Sequence, residues 1–233
     1  MWVVVPVKRF AKAKSRLAGI LSSAERESLA QVMLNDVLRA ITLSNGVDGV
    51  LVVSSESRAR YSVERVGGLF LSESGSGVSI AVAQAGAWLK KHGQFSFMMM
   101  PSDIPTVTSE DISALIESHR GERSVTISPD RNLNGTNCLI VSPPDVMSFC
   151  FGRESFQKHL NASLMVGVKP KIVKKEGLSL DIDRPLDLYR FLTYDCDTES
   201  LAYLSDSGIA RRLRMTDLNN ADQSEQIAAA RLM

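Results

Sequence analysis

Cysteine, histidine and long apolar runs are all scarce in this chain. Three cysteines, Cys138, Cys150 and Cys196, occur in 233 residues, with no Cys-x-x-Cys pair and no histidine at a zinc-like spacing. That excludes a disulfide framework and argues against a cysteine-based zinc site. So sparse and odd a set suits a reducing cytosol, and the thiols are expected to be buried and free. The histidines His92, His119 and His159 are far apart and form no motif. No apolar run approaches the ~20 residues needed to cross a bilayer. The opening run Trp2 to Pro6 lacks the basic, apolar, small-residue order of a secretory signal, so the expectation is a cytoplasmic protein. Excess charge is missing as well. The 27 Lys and Arg against 26 Asp and Glu leave a net +1, which gives no whole-chain reason to expect nucleic acid or an anionic membrane as partner. Neither a Walker A pattern nor G-x-G-x-x-G is present.

What is present is an ordinary globular composition, 44% apolar and 23% charged, enough for one large α/β domain. Residues 2–6, 49–53, 68–71, 95–100, 124–128, 138–142, 171–173 and 178–182 read as strands. Helices are expected behind Ser22, where Glu25 completes a capping box, over 57–65 and from Val78 to Lys91. Further helices are expected from Thr108 to Ser118, over 154–164, and from Pro185 to Leu192. Alternation of this kind predicts an α/β fold with a mainly parallel central sheet and helices on both faces. Ligands bind such sheets at the carboxyl ends of the strands. Residues 1–213 read as a single domain and 214–233 as a polar, Ala-rich tail.

Five segments fall where that fold places its chemistry. Asp103, in Pro101 to Pro105, lies just past the most apolar strand; it is either a Mg²⁺ ligand or the cap of a turn between prolines. Asp181 and Asp183 alternate in an extended stretch and, in a strand, would share one face. Like charges so placed repel unless a cation separates them. The plainer reading has Asp183 capping the following helix and Asp181 in solvent. The basic run Lys8 to Arg16 offers Lys8, Lys14 and Arg16 to a triphosphate, or is a solvated turn. Asn134 to Asn137 and Phe151 to Phe156 bring Thr136, Gly152 and Ser155 to turns and a helix start that can take phosphate or carboxylate. Residues 72–77 with Val78 and Ser79 form a Gly/Ser loop that either closes over a nucleotide or merely connects.

Taken in order, these stretches resemble the CofC/FbiD family of phospho-acid guanylyltransferases. The matching segments are PVKRFAKAKSRL (6–17), LSSAERESLAQVML (21–34), MPSDIP (100–105), SPDRNLNGTN (128–137), FCFGRESFQKHL (149–160) and LSLDIDRPLDL (178–188). They span nearly the whole chain. The resemblance implies a GT-A-like nucleotidyltransferase fold and transfer of GMP from GTP to a three-carbon phospho-acid, with pyrophosphate released, in coenzyme F-420 biosynthesis. It implies Mg²⁺ on Asp103, Asp181 and Asp183, and acid contacts from Thr136, Gly152 and Ser155. Lys8, Lys14, Arg16, Gly77 and Ser79 would hold the nucleotide, with Lys14, Arg16 and Asp103 catalytic. A homodimer is left open. One departure stands out: Gly77-Val78-Ser79 replaces the family's Gly-Leu-Asn. It keeps two rivals open, a nucleotidyltransferase of other base or acceptor, and a catalytically silent nucleotide-binding module.

Overall fold

Among the residues 1–215 that the computed structural model describes, seven strands join in one sheet. In chain order these are β1 (Trp2–Val7), β2 (Gly49–Ser54), β3 (Leu69–Ser72), β4 (Phe97–Met99), β5 (Ser124–Pro129), β6 (Thr136–Ser142) and β7 (Lys171–Ile172). The helices are α1 (Ser23–Thr42), α2 (Ser57–Arg65), α3 (Val78–Lys91), α4 (Ser109–Ser118), α5 (Ser155–Met165), α6 (Pro185–Phe191) and α7 (Glu199–Asp206). Residues 209–215 are helical too. The expected tail lies, beyond residue 215, outside the described residues.

Strand order is β3-β2-β1-β4-β6-β5-β7. The pairs β1–β2, β1–β4, β2–β3 and β5–β7 are parallel, and β6 alone runs antiparallel to its neighbours β4 and β5. The sheet is therefore mainly parallel, as its sequence pattern predicts. The reversal of β6 follows from the short 130–135 connection after β5, which can join only antiparallel neighbours. From β1 the chain proceeds to β2 on one side and later returns to β4 on the other. The strand order thus reverses at β1, where the loops leaving β1 and β4 diverge and open a crevice.

Alternation along β1 divides the core. Val3, Val5 and Val7 pack with Leu34, Val37 and Ile41 of α1 and Ile112 and Leu115 of α4. Val4 points to the other face, among Val82, Ala85 and Leu89 of α3. Local signals set the helix starts: the Ser22–Glu25 capping box forms at α1, and Thr108 accepts from the Asp111 amide at α4. A third apolar cluster joins Leu29 and Met33 of α1 to Leu180, Ile182, Leu188 and Phe191.

That last cluster corrects one expectation. Residues 178–182 are not a strand: a tight turn, Glu176–Leu178, leads into an irregular segment. Leu180 and Ile182 are buried as their alternation requires, but against helices, with no neighbouring strand to pair with. The Ile182 amide donates instead to the Asp103 carbonyl (3.0 Å). Asp183 is not the cap of α6 either; the Asp187 carboxylate accepts from the amides of Asp183 (3.3 Å) and Arg184 (2.8 Å).

Candidate active site

The basic segment leaves β1 at its carboxyl end and is pinned before it turns. The Ser54 hydroxyl donates to the Val7 carbonyl (2.6 Å), the Phe10 amide donates to the Glu56 carboxylate (3.1 Å), and the Arg58 guanidinium lies 4.9 Å from the centre of the Phe10 ring. Two short turns follow, Phe10–Lys12 and Ser15–Leu17. Between them Lys14 takes a left-handed conformation (φ 53°, ψ 34°), uncommon for a residue with a side chain. The bend sends its side chain inward, to 5% exposure.

Lys14 Nζ there lies 2.5 Å from Asp103 Oδ2 and 3.3 Å from Asp183 Oδ1, and Arg16 Nη1 lies 3.1 Å from Asp183 Oδ2. Burial on its own would push the Lys14 ammonium down, but Asp103 and Asp183 outweigh it and hold the group above the usual lysine value. Burial likewise opposes charge on Asp183, and Lys14 and Arg16 overcome it, so its carboxyl sits below the usual range. Asp181 has no such partner. Burial, then the charges of Asp103 and Asp183, push its carboxyl up to about 6. No three His, Cys, Asp or Glu side chains of the described residues form a ready-made metal cluster; the Lys14 ammonium stands between Asp103 and Asp183.

Two adjoining cavities open at the carboxyl ends of the strands. The first, of about 300 Å³, is lined by Lys8, Lys12, Lys14, Arg16, Asp103 and Asp183 among others. The second, of about 310 Å³, shares Lys8, Lys12 and Val78 with it and reaches across the ends of β2 and β3 to Ser55, Glu73 and Gly77.

Thr136, Gly152 and Ser155 line neither cavity. They form a cluster of their own, held by neighbours that include Asp130 and His159. The Asp130 carboxylate gathers the amides of Asn132, Asn134 and Gly135 at 2.8–3.0 Å. The Thr136 amide donates to Ser155 Oγ (2.9 Å), and the Ser155 amide donates to the Gly152 carbonyl (3.1 Å), where Gly152 has φ +112°. His159 is fully buried, and burial drives its imidazole down to about 4, so it is neutral near pH 7. Its Nε2 accepts from the Cys150 amide (2.9 Å), so Nδ1 carries the proton and donates to Thr136 Oγ1 (2.9 Å). The hydroxyls of Thr136 and Ser155 thus each accept from the protein and keep their own protons to donate. Ser79 Oγ accepts from the Phe151 amide (2.9 Å) and ties the start of α3 to this cluster. Asn137 Nδ2 donates to the Leu178 carbonyl (2.8 Å), tying the cluster to the turn before Asp181. The structure therefore joins Lys14, Arg16, Asp103 and Asp183 directly, with Asp181 electrostatically coupled to them. Lys8 and Gly77 lie beside that centre, and Thr136, Gly152 and Ser155 stand in a linked second cluster.

A cationic loop facing carboxylates at the switch point of a mainly parallel sheet defines an α/β protein with a charged crevice at the carboxyl ends of its strands, where such sheets bind ligands. Solved structures share that fold. A protein described as a nucleotide-diphospho-sugar transferase from Desulfovibrio desulfuricans G20 superposes with a TM-score of 0.73 at 15% identity, covering 91% of this chain and 97% of that one. A nucleotidyl transferase from Methanothermobacter gives 0.58 at 15% identity, over 82% and 94%. The family described as "Guanylyl transferase CofC like" matches residues 1–222, and the chain belongs to it. It is 33% identical over 185 residues to the phosphoenolpyruvate guanylyltransferase of Sphaerobacter thermophilus, covering 79% of this chain and 89% of that one. It is 34% identical over 214 residues to the 2-phospho-L-lactate guanylyltransferase of Methanothermobacter thermautotrophicus, covering 91% of each. The chain is a guanylyltransferase.

Proposed function

We propose that this enzyme transfers GMP from GTP to a three-carbon phospho-acid (phosphoenolpyruvate, 2-phospho-L-lactate or 3-phospho-D-glycerate) in coenzyme F-420 biosynthesis. The observation that carries the reading is the cationic loop meeting Asp103 and Asp183 at the ends of β1 and β4, beside a hydroxyl cluster with free protons. A phosphate oxygen of the acid attacks the α-phosphorus of GTP, the bond to the β-phosphate oxygen breaks, and pyrophosphate leaves. A phosphate dianion is already a nucleophile, so no general base is needed, and the protein contributes position and charge. Lys8, Lys14 and Arg16 hold the triphosphate, and Lys14 and Arg16 offset charge on the departing pyrophosphate. Gly77 and Ser79, at the start of α3, border the nucleotide. Thr136 and Ser155 donate hydroxyl protons to the acid beside the Gly152 backbone, with neutral His159 fixing the Thr136 hydroxyl.

The residues suit Mg²⁺. Asp103, Asp181 and Asp183 offer oxygen ligands only, and Asp181 carries negative charge that Lys14 and Arg16 leave unrelieved. These three would hold the ion, which supplies charge neutralisation where two anions must meet. In this reading residues 1–213 act as one catalytic domain in the cytoplasm, on small molecules, with no nucleic acid or membrane involved. In support, no helix among the described residues is long and apolar enough to cross a membrane. The test is pyrophosphate release with Mg²⁺ and GTP, offering the three acids separately. Turnover with one acid, lost in Asp103→Ala, is the expected result; no release with any of them overturns the reading.

A further inference from the structure

Glu73 is the carboxylate that the proposed chemistry does not use. It follows β3, and its amide donates to the Ser54 carbonyl (3.0 Å), fixing it at the ligand end of the sheet. Glu73 is among the residues that line the second cavity, with Lys8, Arg9 and Lys12. Arg9 is engaged with Ser55 Oγ (3.3 Å). No described side chain pairs with the Glu73 carboxylate, although three cations share its cavity.

An unpaired anion at one end of a basic cleft orients a nucleotide. Triphosphate oxygens are attracted to Lys14 and Arg16 and repelled by Glu73, so the end of the nucleotide that meets Glu73 must bring hydrogen-bond donors. The walls there suit a flat base, since Val53, Val78 and Ala81 line the same cavity. A carboxylate is an acceptor with two oxygens side by side. Guanine alone among the four common bases presents two adjacent donors, N1–H and the 2-amino group, on its Watson–Crick edge. Adenine puts a lone pair at N1, where it would face the carboxylate; cytosine offers one donor, its amino group, next to two acceptors, and uracil one donor between two acceptors. Resting on the guanylyl-transfer reading above, we infer that Glu73 is the specificity-determining residue that selects guanine, accepting from N1–H and the 2-amino group together.

The nearest rival has Glu73 accepting from the ribose hydroxyls. Inosine triphosphate separates the two, because it keeps the ribose and N1–H and lacks only the 2-amino group. The experiment measures kcat/KM for GTP and ITP, by pyrophosphate release, in wild type and Glu73→Gln. Wild type is expected to prefer GTP by about 10- to 100-fold, the scale of losing one hydrogen bond to a charged acceptor. In Glu73→Gln that ratio should collapse towards one, because an amide cannot accept from both donors. A ratio measured within one variant is insensitive to partial misfolding. An unchanged ratio, or equal losses for GTP and ITP, overturns the assignment to the base while leaving guanylyl transfer intact. Wild type that releases no pyrophosphate from GTP overturns the underlying reading, and Glu73 as a guanine selector with it.

Discussion

Lys14 bears the largest electrostatic load in the site: one buried ammonium contacts two carboxylates. Replacing it by Met leaves Asp103 and Asp183 facing each other with the exposed Arg16 and the more distant Lys8 to offset their charge. The expected loss in kcat/KM is ~10²–10³-fold, the scale seen when one positioned transition-state contact is removed, and steady-state pyrophosphate release reads it. Lys14→Arg should not rescue activity, since a planar guanidinium does not fit where an ammonium is enclosed at 5% exposure. Gly135 makes a second residue-scale case. A Cβ there would meet Asp130 Oδ2 at 2.9 Å, against the very carboxylate that organises the loop before Thr136. Gly135→Ala should raise the KM for the phospho-acid while leaving the KM for GTP near its wild-type value. Asp103, Lys14 and Arg16 could be picked out from sequence because charged residues fell just past apolar strands. Asp130 and His159 could not, because each acts through a backbone or hydroxyl partner that only the folded chain brings near.

At the scale of elements, the pinning of the basic loop is separable from the chemistry. Glu56→Ala removes the acceptor of the Phe10 amide, at a stability cost of about 1 kcal/mol, and should raise the KM for GTP several-fold. Ser22→Ala breaks the α1 capping box at a similar cost of about 1 kcal/mol. It should leave both KM values unchanged. Urea denaturation beside steady-state kinetics checks both. Helices with strong local signals lie where the sequence puts them: α2 and α3 match the expected 57–65 and Val78–Lys91. The segment 178–182 did not, because alternating burial looks the same whether the covering surface is a sheet or a pair of helices. Nothing in the sequence pattern announced α7. Its start is held by Asp36 of α1, which is buried and accepts from the amides of Glu199 (2.7 Å) and Ser200 (3.0 Å) and from the Ser200 hydroxyl, a contact across more than 160 residues.

For the whole molecule, two buried imidazoles set the acid limit. Burial drives both His119 and His159 down to about 4 from the ordinary 6.5. His119 is packed among the hydroxyls of Thr126, Ser142 and Ser124 at 2.8–2.9 Å. Below pH 6.5 the unfolded chain binds protons that the folded chain refuses, so stability is full above that pH and is lost as pH falls towards 4. Each histidine can account for a loss of up to about 3 kcal/mol across that window. Urea midpoints measured from pH 7 to 4 should fall steeply, and His119→Gln should flatten the slope. By itself the sequence determined the alternation of strand and helix, the helix caps, and the order of basic loop, post-strand aspartate and late Asp-x-Asp. These are local matters of periodicity, backbone chemistry and residue type. Only the tertiary structure decided that Lys14 would sit between Asp103 and Asp183, that 178–184 would run irregularly between α1 and the β4 loop, and that Thr136 would be held by His159. Those outcomes depend on which distant segments share one space at the reversal of strand order beside β1, and one-dimensional spacing carries no record of it.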